Sequence, residues 1–187
     1  MFRDFIICIL NVLLRLFFRI ETVNTESLPE KGGFVLAPNH FSNWDPVMTA
    51  CFTTHRKIFF LAKAELFKFK PFGALISSFG AMPLSRDRTD AGVIMDSVRL
   101  LKNGGVLCIY PEGTRVRKGK KARAKKGAVK IAYLARVPIY PVHIDTNYRI
   151  FSKIRITVGE PIEIKEKLDE NAFGEKTAEL MNRIYSL

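Results

Sequence analysis

Short apolar runs alternate with amphipathic segments along most of this chain. Runs of four to seven mostly apolar residues predict strands, and they occur at 34–37, 57–62, 106–110, 138–144 and 154–158. Apolar residues at helical spacing, together with turn residues at the boundaries, predict helices after Asp45-Pro46 and at 91–101, 127–136 and 173–184. The segment at 65–80 is rich in Leu and Phe but contains Lys, Pro and Gly, which predicts a kinked amphipathic element.

This alternation of strands and helices indicates the fold class. Strands that alternate with helices typically form one mainly parallel sheet with helices packed on its faces. At 187 residues the chain has the size of one domain. We therefore predict a single-domain α/β sandwich at 22–187 around a mainly parallel central sheet, preceded by a separate segment at 1–21.

The N-terminal segment is mostly apolar, and projection on a helix places its polar residues in one narrow stripe: Asp4, Asn11, Arg15 and Arg19. A helix that spans a bilayer needs about 20 largely apolar residues, and an arginine at its centre costs roughly 2.5–3.5 kcal/mol. We therefore predict that residues 1–21 form an amphipathic helix in the membrane interface, on the cytoplasmic face. The alternatives are a single tilted span and a helix packed on the domain's own core.

The charge balance limits the classes of binding partner that suit this chain. Lys and Arg number 30 against 18 Asp and Glu, a formal net charge of +12, and eight of the basic residues lie within 115–126. Such a chain favours anionic partners, either nucleic acid or an anionic membrane surface, although a charged run is also commonly a solvated face. The three cysteines are widely spaced and predict neither a disulfide framework nor a metal site.

Polar residues with catalytic potential follow the first predicted strand of the domain. His40 is suited to exchange a proton near neutral pH, and Asp45 can hold its ring in one tautomer. Five residues along a helix are about 140° apart, so the pair must lie across a turn rather than on one helix. The alternative is a structural histidine beside a capping aspartate, since Ser42 and Asp45 also fit a capping box. Ser42 as a covalent nucleophile is a further alternative.

A second polar cluster follows the predicted strand at 106–110, and it runs from Pro111 through Glu112, Gly113 and Thr114 to Arg115. Sites in open α/β sheets form beyond the carboxyl ends of the strands. The two clusters, although some 70 residues apart in sequence, are therefore expected to meet at one edge of the sheet. One offers a base and the other an anion site, which together suggest group transfer to an anionic substrate.

Four segments, in order, resemble the motifs of the glycerophospholipid acyltransferases, specifically the 1-acylglycerol-3-phosphate acyltransferase family. They are Asn39-His40-Phe41-Ser42 with Asp45, Pro83-Leu84-Ser85-Arg86, Pro111-Glu112-Gly113-Thr114-Arg115, and Val137-Pro138-Ile139-Tyr140-Pro141-Val142. The resemblance covers roughly residues 28–160.

The resemblance implies an activity and a site. A fatty acyl group would pass from acyl-CoA or an acyl-carrier protein to the free hydroxyl of 1-acylglycerol-3-phosphate and give phosphatidic acid. His40 would be the general base, Asp45 would orient it, and Arg86 and Arg115 would bind the phosphate bidentately. Further substrate contacts are expected from Glu112, Gly113, Thr114, Asn39, Ser42 and Lys63.

For Glu112 two functions remain open, because its carboxylate can position an arginine or accept a hydrogen bond from a glycerol hydroxyl. No metal or bound cofactor is expected, and the predicted partners are membrane lipids and the acyl carrier rather than nucleic acid. The alternatives are another acceptor, such as glycerol-3-phosphate, another lysolipid or a lipid A precursor, and, more remotely, a basic nucleic-acid-binding module.

Overall fold

A computed structural model describes residues 2–84, 90–116 and 124–187 of the chain. Within these ranges seven strands form one sheet: β1 Arg19–Val23, β2 Phe34–Pro38, β3 Ile58–Lys63, β4 Ala81–Leu84, β5 Val106–Cys108, β6 Ile139–Asp145 and β7 Lys153–Val158. The helices are α1 Phe2–Phe17, α2 Asp45–Phe52, α3 Lys70–Ser78, α4 Asp90–Lys102, α5 Gly127–Ala135 and α6 Glu170–Ser186. Short 3₁₀ turns lie at Thr25–Ser27 and Ala64–Phe67.

The sheet has the strand order β1-β7-β6-β2-β5-β3-β4. Every neighbouring pair is parallel except β6 and β7. The predicted α/β fold around a mainly parallel sheet is thus confirmed. Strand β2 lies at the centre of the sheet, and all five of its residues are buried, as expected for a parallel strand that helices cover on both faces.

The core has two layers, one on each face of the sheet, because successive side chains of a strand point in opposite directions. Phe34 and Leu36 of β2 belong to the layer that includes Met48 of α2 and Leu14 of α1. On the other face, Val35 and Ala37 join buried residues of α4, α5 and α6, among them Leu101, Ile131 and Leu180.

Two strands escaped the sequence prediction, and both are edge strands. β1 and β4 stand at the two ends of the strand order. An edge strand is partly open to solvent and has a weaker apolar pattern, which is why β1 carries Arg19 and Glu21 and why β4 tolerates Pro83.

The N-terminal helix is shorter than predicted. It ends at Phe17, and Arg19–Val23 pairs in register with β7. Asn11 Nδ2 donates to the carbonyl of Cys51 at 3.2 Å, and the Arg15 guanidinium lies 5.3 Å from the ring centroid of Phe52. Part of the polar stripe therefore contacts α2, while apolar side chains are left exposed at Phe5, Ile9, Val12, Leu13, Leu16 and Phe17.

None of the helices within the described ranges combines the length and the apolar character that crossing a membrane requires.

Candidate active site

The two polar clusters meet beyond the carboxyl ends of adjacent parallel strands. β2 and β5 pair in parallel, and the backbone N–H of His40 donates to Glu112 Oε1 at 3.1 Å. The N–H of Val116 donates to the carbonyl of His40 at 2.8 Å. His40 is thus held on both sides of its backbone by the 110–116 loop, and Arg115 precedes one of the holding residues.

The side chains of His40 and Asp45 form a hydrogen-bonded pair, with 2.8 Å between Nδ1 and Oδ2. Asp45 is fully buried. An ionised carboxylate only accepts hydrogen bonds, so the proton of this bond is on Nδ1 of His40. The lone pair of the imidazole is then on Nε2, the nitrogen that a general base would use.

Three further donors fix the Asp45 carboxylate. The backbone N–H groups of Phe41 and Ser42 both donate to Oδ2 at 2.7 Å. The hydroxyl of Tyr148 donates to Oδ1, also at 2.7 Å. Burial and the neighbouring carboxylate raise the pKa of Tyr148, which keeps its hydroxyl protonated and able to donate.

The turn between His40 and Asp45 forms half of the predicted capping box. The carboxylate of Asp45 accepts from the N–H of Ser42, but Ser42 Oγ accepts from the N–H of Trp44 at 3.2 Å. Pro46 stands in the first turn of α2, where its missing N–H leaves no bond unmade. Ser42 therefore stabilises the turn that brings Asp45 back to His40.

Tyr110 forms one wall of the site. Its ring stacks on the imidazole of His40 with centroids 4.1 Å apart and an interplanar angle of 27°. Burial raises the pKa of the Tyr110 phenol, so the ring stays uncharged. The stack restricts rotation of the imidazole ring, which the hydrogen bond to Asp45 already orients.

Glu112 is buried and links His40 to the C-terminal helix. Its Oε1 accepts from the His40 N–H and from the hydroxyl of Tyr185 at 2.9 Å. Its Oε2 is buried and has no hydrogen-bond partner among the described residues. Burial raises the pKa of Glu112. These contacts support the His40 backbone, a function that differs from both of those considered from sequence.

A basic side chain lies across the exposed part of the 110–116 loop. Gly113 has φ +64°, and a Cβ there would lie 2.6 Å from Cδ and Cε of Lys125. The backbone N–H of Lys125 donates to the carbonyl of Pro111 at 2.8 Å. Thr114 and Arg115 are exposed beside it. Arg115 on the 110–116 loop and Lys125 across it thus place two basic side chains at this loop, which holds the His40 backbone.

The other predicted site residues differ in their placement. Asn39 is buried, and its amide both donates to and accepts from the backbone of Ile144, at 3.0 and 2.7 Å. These bonds give Asn39 a structural function, and its predicted substrate contact stays a prediction. Lys63 is exposed at the carboxyl end of β3, the sheet edge that carries the site. Arg86 lies outside the described residues.

Sequence reasoning missed Tyr148 and Tyr185, and it placed Lys125 only within the basic run. Tyr148 bonds to a residue 103 positions away, and Tyr185 to one 73 positions away. A single sequence holds no signal for such contacts, because they depend on how the strands and helices pack.

Replacement of Glu112 by Gln is expected to change how stability depends on pH. Because burial raises the Glu112 pKa above its ordinary 4.5, this group contributes stability that is fully present below pH 4.5 and lost as pH rises through the raised value. Glu112→Gln removes the titration but keeps an oxygen that can accept from His40 and Tyr185. Calorimetry from pH 4.5 upward should show the wild-type melting temperature falling relative to the variant.

The control for that experiment is Glu26→Gln, which changes an exposed carboxylate. For this variant the plot of melting temperature against pH should run parallel to that of the wild type. Parallel curves for Glu112→Gln as well would show that Glu112 does not hold its proton more tightly in the folded chain.

Comparison with known proteins places this site in a family. A family model described as Acyltransferase matches residues 19–145. A Bacillus subtilis (strain 168) protein named 1-acyl-sn-glycerol-3-phosphate acyltransferase is 32% identical, over 82% of this chain and 78% of that protein. A Streptococcus pneumoniae protein of the same name is 33% identical, over 86% of this chain and 61% of that protein.

The fold also matches a solved structure. The crystal structure of the 1-acyl-sn-glycerophosphate acyltransferase PlsC from Thermotoga maritima superposes with a TM-score of 0.77 at 24% identity, over 98% of this chain and 79% of that chain. The family model covers more than half of the chain, and its residues 19–145 include both polar clusters. The chain belongs to the acyltransferase family.

Proposed function

We propose that this protein transfers a fatty acyl group from an acyl thioester to the free hydroxyl of 1-acylglycerol-3-phosphate and forms phosphatidic acid. The observation that carries the proposal is the His40–Asp45 pair, bonded at 2.8 Å and held by the loop that presents Arg115 and that Lys125 contacts. The names of the Bacillus and Streptococcus relatives supply the acceptor.

The proposed reaction is direct acyl transfer. Nε2 of His40 takes the proton of the acceptor hydroxyl as its oxygen attacks the thioester carbonyl. A tetrahedral oxyanion forms and collapses, the carbon–sulfur bond breaks, and the thiolate leaves and takes the proton from His40. Asp45 stabilises the imidazolium while it exists. The step as written uses no metal, bound cofactor or covalent enzyme intermediate, and it accepts either acyl-CoA or an acyl-carrier protein as donor.

The phosphate of the acceptor is proposed to bind at the 110–116 loop. Arg115 supplies a guanidinium, Lys125 an ammonium and Thr114 a hydroxyl, and all three residues are exposed. Arginine suits the bidentate geometry of a phosphate, and lysine adds a point charge. Family resemblance adds Arg86 to this set. Gly113 allows the loop to pass beneath the Lys125 side chain, because a Cβ at that position would collide with it.

Helix α1 is proposed to hold the enzyme at the cytoplasmic face of a membrane. Its polar residues Asn11 and Arg15 contact α2, while Phe5, Ile9, Val12, Leu13, Leu16 and Phe17 are exposed. A helix on a water-soluble surface has the opposite arrangement, and an exposed apolar patch rimmed by polar residues marks an interaction site. Contact with lipid also brings the enzyme to its acceptor.

Replacement of His40 by Ala is expected to lower kcat by at least about 10²-fold, the usual contribution of a positioned base. The purified full chain would be assayed for phosphatidate with 1-acylglycerol-3-phosphate and radiolabelled acyl-CoA, and folding checked by circular dichroism. His55→Ala is the matched control, since His55 is exposed before β3, at the opposite sheet edge. A kcat within a few-fold of wild type in His40→Ala would exclude it as the base.

Replacement of Arg115 by Ala is expected to raise the KM for 1-acylglycerol-3-phosphate by about 10- to 100-fold, because a hydrogen bond to a charged group contributes roughly 1.5–3 kcal/mol. Arg115→Lys should recover part of the loss. Arg99→Ala removes the same charge from the exposed face of α4 and serves as control. If only the KM for the thioester rose, the phosphate would bind elsewhere.

Replacement of Leu13 and Leu16 by Ser is expected to lower the affinity for anionic liposomes, measured by sedimentation, by about 10²-fold or more. The reason is that each leucine buried in the membrane contributes roughly 1.5–3 kcal/mol. Substitution is preferred to deletion because β1 begins at Arg19. The matched control is Met95→Ser with Leu134→Ser, two exposed apolar residues on α4 and α5. Equal losses in the two double variants would refute the assignment of lipid contact to α1.

A further inference from the structure

The connection from β6 to β7, residues 146–152, combines two highly exposed apolar side chains with a bond to the catalytic pair. Ile150 and Phe151 are 66% and 67% exposed. Two residues earlier, Tyr148 donates its hydroxyl to Asp45. One short loop thus contacts both the surface and the site.

The topology explains why this loop lies beside both α1 and the site. β7 runs antiparallel to β6, so the chain turns back at the carboxyl edge of the sheet, where His40 lies. β1 is parallel to β7, so the end of α1, which leads into β1, reaches the same edge. The N–H of Phe151 donates to the carbonyl of Phe17 at 2.7 Å, and the N–H of Arg19 donates to the carbonyl of Ser152 at 3.0 Å.

These bonds make the apolar surface of α1 continuous with the loop. Leu16 is 64% exposed. The backbone of Phe17 is hydrogen-bonded to that of Phe151, and the exposed Ile150 is the neighbour of Phe151 in the loop. Arg19 and Arg149 are exposed beside this surface. Apolar side chains bordered by arginines match the acyl chains and anionic head groups of a phospholipid bilayer. The same surface is a poor match for water or for a basic partner.

The loop is also held in an unusual backbone conformation. Tyr148 and Phe151 have φ of +52° and +62°, a region that bulky residues rarely adopt and that persists only where surrounding contacts enforce it. Tyr148 is held by its ring contacts with Phe18 and Phe41 and by Asp45. Phe151 is held by its backbone bond to the end of α1 while its side chain points outward.

We propose that residues 147–151 form a second lipid contact, continuous with α1, and that the Tyr148 hydroxyl links this contact to the His40–Asp45 pair. The proposal rests on the proposed function and adds a surface and a positioning residue to it. Tyr148 acts through Asp45: it occupies Oδ1, leaves Oδ2 for His40, and so fixes the rotation of the carboxylate. Lipid that holds the loop thereby also stabilises the bonded arrangement of the pair.

The lipid contact is tested with vesicles of phosphatidylglycerol and phosphatidylcholine. Trp44→Phe with Phe151→Trp places the chain's single tryptophan at the loop tip, and brominated lipid should quench it. Ile150→Ser with Phe151→Ser should lower vesicle affinity by at least about tenfold. An unquenched tryptophan with unchanged affinity overturns the lipid contact. Weaker binding of an acyl-carrier protein with unchanged vesicle binding overturns lipid as the occupant.

The link to the site is tested with Tyr148→Phe, which keeps the ring contacts and removes only the hydroxyl. Acyl transfer should show kcat lowered by about tenfold with little change in the acceptor KM. Because Asp45 loses the donor that fixes its rotation, its bond to His40 should be less well oriented, and the low-field proton resonance of His40 Nδ1–H should shift or broaden. Tyr133→Phe, distant from the pair, should leave both unchanged.

An unchanged resonance together with an unchanged kcat in Tyr148→Phe overturns the positioning function. Vesicle binding, quenching and the resonance need no acyl transfer. Absence of transfer to 1-acylglycerol-3-phosphate in the wild type would therefore overturn the proposed function alone, and the other readouts would still decide the loop and Tyr148.

Discussion

A buried carboxylate must be satisfied by hydrogen bonds, and the site of this protein depends on how that requirement is met at Asp45. Among the described residues four donors reach it: the His40 ring, two backbone N–H groups of the intervening turn and the Tyr148 hydroxyl. The same bonds that keep the charge stable in the interior close the turn and orient the imidazole. The same bonds therefore stabilise the turn and orient the imidazole of the proposed base, and a change to any donor affects both.

The parallel sheet brings the parts of the site together from three places in the chain. β2, β5 and β6 are neighbours at its centre and end at one edge. The segments that follow them carry, in turn, the His40–Asp45 pair, the Glu112–Arg115 cluster and Tyr148. A parallel strand after β6 would have required a long crossover. Because β7 is antiparallel instead, the third segment is short and stays at this edge, where it also meets the end of α1.

The sequence was sufficient for the central strands and for the meeting of the two clusters, because buried parallel strands are continuous apolar runs and their carboxyl ends share an edge. It was insufficient for β1 and β4, whose edge positions weaken the apolar pattern, and for the end of α1, where pairing with β7 overrides the helical periodicity. It also gave no sign of the structural bonds that Asn39 and Glu112 make. Both are polar residues beside His40, and only packing decides that one bonds to Ile144 and the other to Tyr185.

The orientation of α1 connects the fold to the proposed substrate. A lysolipid has its acyl chain in a bilayer and its free hydroxyl and phosphate at the surface, so the base and the phosphate site must lie close to the membrane plane. The exposed apolar face of α1 ends at Phe17, which bonds to the loop that contacts Asp45. Of the basic residues that would meet the phosphate, Arg115 lies on the loop that holds His40 and Lys125 contacts that loop. In the proposed orientation the acceptor would reach Nε2 of His40 without leaving the bilayer, which would avoid the free energy of exposing its acyl chain, about 0.8 kcal/mol for each CH₂ group.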